Sequence, residues 1–173
     1  MGKGSNKSKG PSVEEVSPST LNFSNLQRTK PLRARQLKVI TEAALAELGT
    51  AHWNLTFYLV NSRRMAEINE THLQHEGPTD VITFDYGEGE SRNTQCALHG
   101  EIFICVDVAV TQAREFRATW QSEVVRYVVH ALLHLCGHDD QQPAARRAMK
   151  RREDALVRRL AAQFDFRKLS PQP

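Results

Sequence analysis

The sequence predicts a single α+β domain. Strand-like and helix-like segments are mixed along the chain, no internal repeat is evident, and 173 residues suffice for one ordinary domain but not for two. The composition, with 40% apolar and 25% charged residues, excludes a collagenous, low-complexity or mainly disordered protein. We expect the domain to span residues 19–165, with a disordered basic arm at 1–18 and a tail at 166–173.

The first half of the domain predicts two strands, each followed by a helix. Polar and apolar residues alternate over 21–26 and again over 52–60, as in strands with one buried face. The helix over 31–48 has Pro in its first turn, apolar residues at helical spacing, and Gly just past its end. A shorter helix over 62–73 begins at a Ser suited to an N-cap.

The second half predicts two more strands and three helices. A Gly-Pro pair ends the preceding helix, and strands then follow at 81–84 and 97–106. Of the helices, 111–116 is short, and 122–136 is strongly apolar and stopped by a glycine. The last helix, 144–164, is amphipathic, with an apolar stripe facing inward that comprises Met149, Leu156, Val157 and Leu160. A polar loop is expected at 87–94.

The net charge of +3 divides into an acidic middle and two basic ends. The first 36 residues carry +5 and the last 33 carry +6, against −8 in between. Basic ends can bind phosphate backbones, although a solvated tail and a solvated helix face explain such charge more often.

The sequence favours a cytoplasmic protein without a membrane segment. The three cysteines are odd in number and lack Cys-x-x-Cys spacing, which is typical of a reduced compartment. The first residues have no apolar stretch behind them, so we expect no signal peptide. The longest apolar run, 124–136, is too short to span a bilayer and contains Arg126 and two histidines.

The segment with the clearest chemistry contains His130 and His134. Four residues apart on a helix, the two imidazoles share one face and can bind one ion. Gly137 can end the helix and let the chain turn back, which places Asp140 as a third ligand. Three protein ligands and a water form an open catalytic zinc site, so we expect zinc here.

Three alternatives to this interpretation remain open. His138 and Asp139 compete with Asp140 for the third ligand position. The two histidines could instead be core residues with satisfied partners, although burial of unpaired imidazoles is costly. A zinc peptidase is disfavoured, because Ala131 stands where His-Glu-x-x-His enzymes have their general base.

The residues around this motif resemble the YbeY family of bacterial rRNA maturation factors. The motif itself, His130-x-x-x-His134-x-x-Gly137-x-Asp139, is similar to the family signature. Three further stretches match in the same order: residues 65–69 (Met-Ala-Glu-Ile-Asn), 78–84 (Pro-Thr-Asp-Val-Ile-Thr-Phe) and 100–105 (Gly-Glu-Ile-Phe-Ile-Cys). The resemblance covers about residues 20–163 and implies a small sandwich, a mixed β-sheet with helices on both faces and a metal cleft.

The resemblance also implies an activity. It implies a zinc-dependent endoribonuclease that cuts single-stranded RNA in 16S rRNA 3′-end maturation and ribosome quality control. One Zn²⁺ per chain would be bound by His130, His134 and Asp140, and the general base is not identified. The expected partners are the 16S rRNA precursor and the small ribosomal subunit, with neither DNA nor a membrane. The alternative is a non-catalytic ribosome-assembly factor whose metal is structural.

The chain departs from the family pattern at three positions. Asp140 stands where the family usually has a third histidine, and a carboxylate also ligates zinc. His138 replaces a tyrosine. Leu73 occupies the place of an arginine thought to contact RNA phosphate, so a cation that would stabilise transition-state charge is missing there. This last departure favours the assembly-factor alternative.

Some other residues have two readings each. Thr79 and Asp80 lie either near the cleft or in an ordinary turn, and the turn is the commoner case. Glu101 either supports a zinc-bound histidine or is a solvated strand residue. The basic run at 146–152 is either a solvated helix face or, if it adjoins the cleft, an RNA contact.

Overall fold

A computed structural model describes residues 18–73, 77–87 and 97–171 of the chain. The disordered basic arm expected at 1–18 lies outside the described residues except for residue 18, and so does the loop expected at 87–94 except for Gly87. Among the helices of the described ranges, none combines the length and the apolar character needed to cross a membrane.

Strands and helices are mixed along the chain, as predicted. In chain order the elements are β1 (Thr20–Asn25), α1 (Ala34–Glu47), β2 (His52–Val60), α2 (Ser62–Leu73), β3 (Val81–Asp85), β4 (Ala97–Cys105), α3 (Val106–Glu115), α4 (Trp120–Leu135), α5 (Pro143–Gln163) and a closing 3₁₀ turn (Phe166–Leu169). The predicted α+β fold class with a single domain is confirmed.

The four described strands form one mixed sheet in the order β1-β2-β4-β3. β1 and β4 both run parallel to β2, whereas β3 runs antiparallel to β4. The parallel pairs require crossover connections, which α1 and α2 supply. The small mixed sheet that the resemblance implied is therefore present.

Helices cover both faces of the sheet. On one face, alternate residues of the central strands, among them Phe57 and Ile102, are fully buried against α1, α4 and α5. On the other face α2 covers a smaller cluster of buried residues, made of Val60, Met65, Ile68, Ile82 and Cys105. The sandwich arrangement with helices on both faces is confirmed.

Helix α4 is the central helix of the larger core. Eleven of its 16 residues are buried, and it packs against β3, β4, α1, α3 and α5. The Thr119 hydroxyl caps its N-terminus by accepting a hydrogen bond from the Ser122 N–H at 3.2 Å. At its other end Gly137 has a φ of 85°, the left-handed conformation that glycine adopts readily. The ends of α4 and the glycine that terminates it lie within two residues of the predicted positions.

Helix α3 begins five residues earlier than predicted. The sequence predicts Val106 as the end of a strand and no element over 107–110, but residues 106–110 form the first turns of the helix. Asp107 lies in that first turn and accepts a hydrogen bond from the Ser62 N–H at 2.7 Å and another from the Thr29 hydroxyl. Although burial opposes it, these bonds lower the pKa of Asp107. Tertiary contacts therefore set the start of this helix.

Both ends of the domain differ slightly from expectation. Helix α1 begins at Ala34, so Pro31 precedes the helix instead of lying in its first turn. The packed chain continues past residue 165, because Phe166 and Leu169 are buried in the larger core. Their 3₁₀ turn contacts α4 and α1. The segment expected to be a tail thus contributes to packing.

Candidate metal centre

Helix α4 places His130 and His134 on its one partly exposed stripe. The side chains are 28% and 30% exposed, whereas the neighbouring Val129, Ala131 and Leu133 are buried. The spacing of four residues stacks the two imidazoles one turn apart, with 3.1 Å between their Nε2 atoms. The helix therefore directs two nitrogen ligands at one point.

The turn after α4 brings Asp140 to the same point. Gly137 ends the helix, and the chain folds back so that the His138 carbonyl oxygen lies 3.1 Å from His134 Nδ1. Asp140 Oδ2 is then 3.9 Å from His130 Nε2 and 3.7 Å from His134 Nε2. The structure thus brings together the three residues that the sequence analysis named as ligands.

The two competing third ligands are placed differently. The Asp139 carboxylate accepts a hydrogen bond from the Gln141 N–H at 3.0 Å and is exposed. His138 contributes its backbone carbonyl to His134, and burial lowers the pKa of its own imidazole. In the described part of the chain, the cluster that could hold an ion consists of His130, His134 and Asp140.

The spacing of the three ligand atoms fits a small divalent ion. The point equidistant from atoms separated by 3.1, 3.7 and 3.9 Å lies about 2.1 Å from each of them. Zn–N and Zn–O bonds have this length. Two imidazole nitrogens and one carboxylate oxygen are also a ligand set that zinc uses in catalytic sites.

In neutral rings, the hydrogen bonds that the two histidines make through Nδ1 leave both Nε2 atoms as acceptors. His134 Nδ1 faces a carbonyl oxygen, which only accepts, and His130 Nδ1 faces the Glu153 carboxylate at 3.0 Å. Each Nδ1 therefore donates, and each neutral ring keeps its lone pair on Nε2. When both rings are neutral, the two Nε2 lone pairs face each other across 3.1 Å and repel unless a proton or a metal ion lies between them.

Glu153, on α5, is the functional residue that the sequence analysis missed. Its side chain is 6% exposed, and its two oxygens contact His130 at 3.0 Å, Arg126 at 2.7 Å and Lys150 at 2.8 Å. Burial opposes ionisation, but these bonds outweigh it and lower the pKa of Glu153 to about 2. The carboxylate is therefore ionised at neutral pH and fixes the orientation of the His130 ring.

The pKa of His130 reflects the same environment. Burial alone would lower it, but the hydrogen bond and charge of Glu153, with smaller contributions from Asp80 and Asp140, raise it overall. Negative charge on three sides of His130 makes the site attractive to a cation.

Two of the three ligands, His130 and Asp140, line an open cleft of about 600 Å³. Most of its lining residues belong to α4 and α5, and the others, besides Asp140, are Asp80, just before β3, and residues at the end of α3 and in the turn after it. Three cations line it: Arg126, Arg146 and Lys150. Arg126 and Lys150 are paired with Glu153 and Asp154, whereas Arg146 donates its Nε–H to the Asp140 carbonyl oxygen at 2.8 Å.

The structure gives the positions of Asp80 and Glu101, for each of which the sequence allowed two interpretations. Asp80 lines the cleft, and it also accepts hydrogen bonds from the Thr79 hydroxyl and the Val81 N–H, so the cleft and turn readings both hold. Glu101 accepts hydrogen bonds from the Tyr58 and Tyr86 hydroxyls, both at 3.0 Å, on the α2 face of the sheet. The carboxylate that contacts a histidine is that of Glu153, so of the two interpretations of Glu101 the one that places it beside a zinc-bound histidine does not hold.

The basic run on α5 adjoins the cleft. Arg146 and Lys150 are one helical turn apart and both line it. Arg63 and Arg64, in contrast, form salt bridges with Glu67 on the exposed side of α2. The side chain of Leu73, where the family arginine would be, lies outside the described residues.

Fold and site together define an α+β domain with a candidate metal centre in an open cleft. The chain matches the family described as Endoribonuclease YbeY over residues 22–161, and it belongs to that family. The family resemblance seen in the sequence is therefore confirmed.

Individual relatives agree with this assignment. Endoribonuclease YbeY of Salinibacter ruber is 31% identical over 143 residues, which cover 81% of this chain and 91% of the relative. That of Chlorobium luteolum is 41% identical over 99 residues, 57% of this chain and 68% of the relative. The solution structure of TM1509 from Thermotoga maritima has a TM-score of 0.58 at 23% identity, covering 83% of this chain and 91% of that one, and supports the fold alone.

Proposed function

We propose that the protein is a metal-dependent endoribonuclease that cuts single-stranded RNA, with one Zn²⁺ bound by His130, His134 and Asp140. The observation that carries the proposal is the 3.1 Å distance between the two Nε2 atoms, with one carboxylate oxygen of Asp140 within 3.9 Å of both. In neutral rings, the Nδ1 atoms carry the protons and the Nε2 atoms are free to bind an ion. Both rings are held in this tautomer by acceptors on their far sides. Membership of the endoribonuclease family supports RNA as the substrate.

The surroundings of the three ligands suit catalysis better than a structural role. Structural zinc sites are closed by four protein ligands, whereas this cluster has three, of which His130 and Asp140 line an open cleft. Bound zinc would supply Lewis-acid polarisation of the phosphate and a water of lowered pKa. Within the chain, His130, His134 and Asp140 bind the ion, and Glu153 orients His130 by accepting its Nδ1 proton.

The cleft also offers positive charge for the RNA backbone. Arg146 contributes a guanidinium whose described hydrogen bond goes to a neutral carbonyl, so its charge is available to a phosphate. It lies beside Asp140 and one turn from Lys150. The arginine missing at Leu73 thus has a counterpart on a different element.

The zinc-peptidase alternative is further disfavoured by the position of Ala131. This residue is 0% exposed, belongs to the larger core and is not among the residues that line the cleft. A general base at this position would be buried among apolar side chains instead of facing a metal-bound water.

The biological setting is part of the proposal. We place the cleavage in 16S rRNA 3′-end maturation and ribosome quality control, on the small ribosomal subunit in the cytoplasm. The family membership and the basic residues beside the cleft support this setting.

Removal of one ligand tests the proposed function. His130→Ala should lose both bound zinc, measured by elemental analysis, and cleavage of a single-stranded oligoribonucleotide. His52→Ala, an exposed histidine on β2, is the matched control and should keep both. Cleavage by a metal-stripped His130→Ala variant would contradict the proposal, and normal ribosome association without cleavage by the wild type would favour the assembly-factor alternative.

A further inference from the structure

An exposed aromatic ring stands at the rim of the metal cleft. Phe116 is 65% exposed, the largest exposed fraction among the large apolar side chains of the described residues, and it lines the same cleft as His130 and Asp140. Single exposed apolar residues are common on protein surfaces, so exposure alone says little. The position beside the proposed reaction centre makes this ring informative.

The end of α3 holds Phe116 in place. Its N–H donates to the Gln112 carbonyl at 2.9 Å, Arg117 adopts a φ of 53°, and the Ala118 N–H donates to the Ala113 carbonyl at 2.8 Å. This is the hydrogen-bond pattern of a Schellman motif, with arginine in the left-handed position that usually favours glycine. The ring is therefore presented by an ordered helix end.

The cleft that Phe116 lines also contains the positive charge of Arg146. Arg146 lines it too, and its guanidinium forms no ion pair with a carboxylate within the residues that the structure describes. Sites for single-stranded nucleic acid combine a cation that contacts the backbone with an aromatic face on which a base stacks. Arg146 and Phe116 provide these two elements in the cleft that His130 and Asp140 also line.

We propose that Phe116 forms a nucleobase subsite, on which one unpaired base of the RNA stacks while the adjoining backbone enters the cleft. The inference rests on the proposed ribonuclease function and adds a substrate contact to it. A base in a duplex is already stacked and paired, so it cannot pack on the ring. The subsite therefore selects single strands, and it tolerates any base because every base has a π-face.

The test is a comparison of binding between ring variants and between two RNAs. The Kd of a short single-stranded RNA is measured by fluorescence anisotropy in the cold, with gels to show that the RNA stays intact. The second RNA has the same backbone with abasic positions. Phe116→Ala should raise the Kd for the unmodified RNA roughly 5- to 150-fold. Phe116→Leu, which keeps apolar volume without a π-face, should also lose affinity, and Phe116→Trp should retain it.

The abasic RNA distinguishes stacking from a structural effect. It should bind the wild type weakly, and Phe116→Ala should weaken it no further, because the stacking partner is already missing. Equal Kd values for wild type and Phe116→Ala, or equal losses with both RNAs, would overturn the subsite. Zinc content and melting temperature should be unchanged in all three variants, since the side chain is exposed.

Failure of the subsite and failure of the proposed function give different results. If the wild type cleaves and binds RNA but Phe116→Ala does so equally well, the subsite alone is wrong. If the wild type neither binds nor cleaves single-stranded RNA, both proposals fall.

Discussion

Replacing Glu153 with glutamine should weaken zinc binding although Glu153 is not a metal ligand. The substitution keeps the shape of the side chain and removes the charge that accepts the His130 Nδ1 proton at 3.0 Å. Loss of such a supporting carboxylate typically costs 10- to 100-fold in metal affinity. We therefore expect Glu153→Gln to raise the Kd for zinc by about 10- to 100-fold.

The same substitution should destabilise the fold. Glu153 has a pKa of about 2 against an ordinary value of 4.5, because its bonds to His130, Lys150 and Arg126 outweigh the cost of burial. A difference of this size corresponds to about 3 kcal/mol of stabilisation by the ionised form. The glutamine amide recovers part of this stabilisation, so we expect the free energy of unfolding to fall by about 1–3 kcal/mol. Each kcal/mol lowers the Tm by about 2–4 °C.

The effect of Glu153 should depend on pH in a defined direction. Its folded-state pKa is depressed, so its stabilisation is fully present above pH 4.5 and is lost as the pH falls towards 2. The difference in unfolding free energy between wild type and Glu153→Gln should therefore shrink across this window.

Asp154→Asn is the matched control for these experiments. Asp154 is adjacent to Glu153 and binds the same Arg126 and Lys150, at 2.6 and 3.3 Å, whereas the hydrogen bond to His130 belongs to Glu153. Zinc affinity is measured by competition with a chromophoric chelator, and stability by urea unfolding of the metal-free protein. Wild-type zinc affinity in Glu153→Gln, or an equal loss in Asp154→Asn, would refute the role given to Glu153.

Three further predictions follow from the site. Asp140→Ala should lose stoichiometric zinc and RNA cleavage while the domain stays folded, as read by elemental analysis and circular dichroism; retained zinc would point to another third ligand. Arg146→Ala should weaken RNA binding and lower the slope of log K against log salt by about 0.7, the value for one phosphate on a single strand, whereas Arg158→Ala on the same helix should change neither. Ala131→Glu should unfold or precipitate the protein, because residue 131 is fully buried; a folded variant with peptidase activity would show that the peptidase argument is wrong.

The sequence predicted that His130, His134 and Asp140 come together because the relations between them are local. His130 and His134 are related by helical periodicity, and Gly137 marks the stop that returns the chain to Asp140. Relations of this kind depend on spacing within one element and the turn after it.

Glu153 was missed because the histidine that it supports is distant in the sequence. It lies 23 residues from His130, within a run of arginines and lysines that resembles a solvated helix face. A signal was present, since Glu153 shares helical register with the inward-facing Met149, Leu156 and Leu160. An acid in an apolar stripe needs a buried partner, and only the packing of α5 on α4 shows which one.

The start of α3 and the closing turn show a different limit. A short β-branched run such as 106–110 fits a strand or a buried helix equally well, and Asp107 decides the matter through contacts with α2. Phe166 and Leu169 are too few to form a periodic pattern. Both features depend on tertiary packing that local propensity does not contain.

The most direct measurement for the central claim is a zinc titration of RNA cleavage by the metal-stripped protein. With His130, His134 and Asp140 as the ligands of one catalytic ion, cleavage of single-stranded RNA should be absent without metal. It should then rise linearly and reach its plateau at one zinc per chain. Undiminished cleavage by the metal-free protein, or none after one equivalent of zinc has bound, would contradict the account.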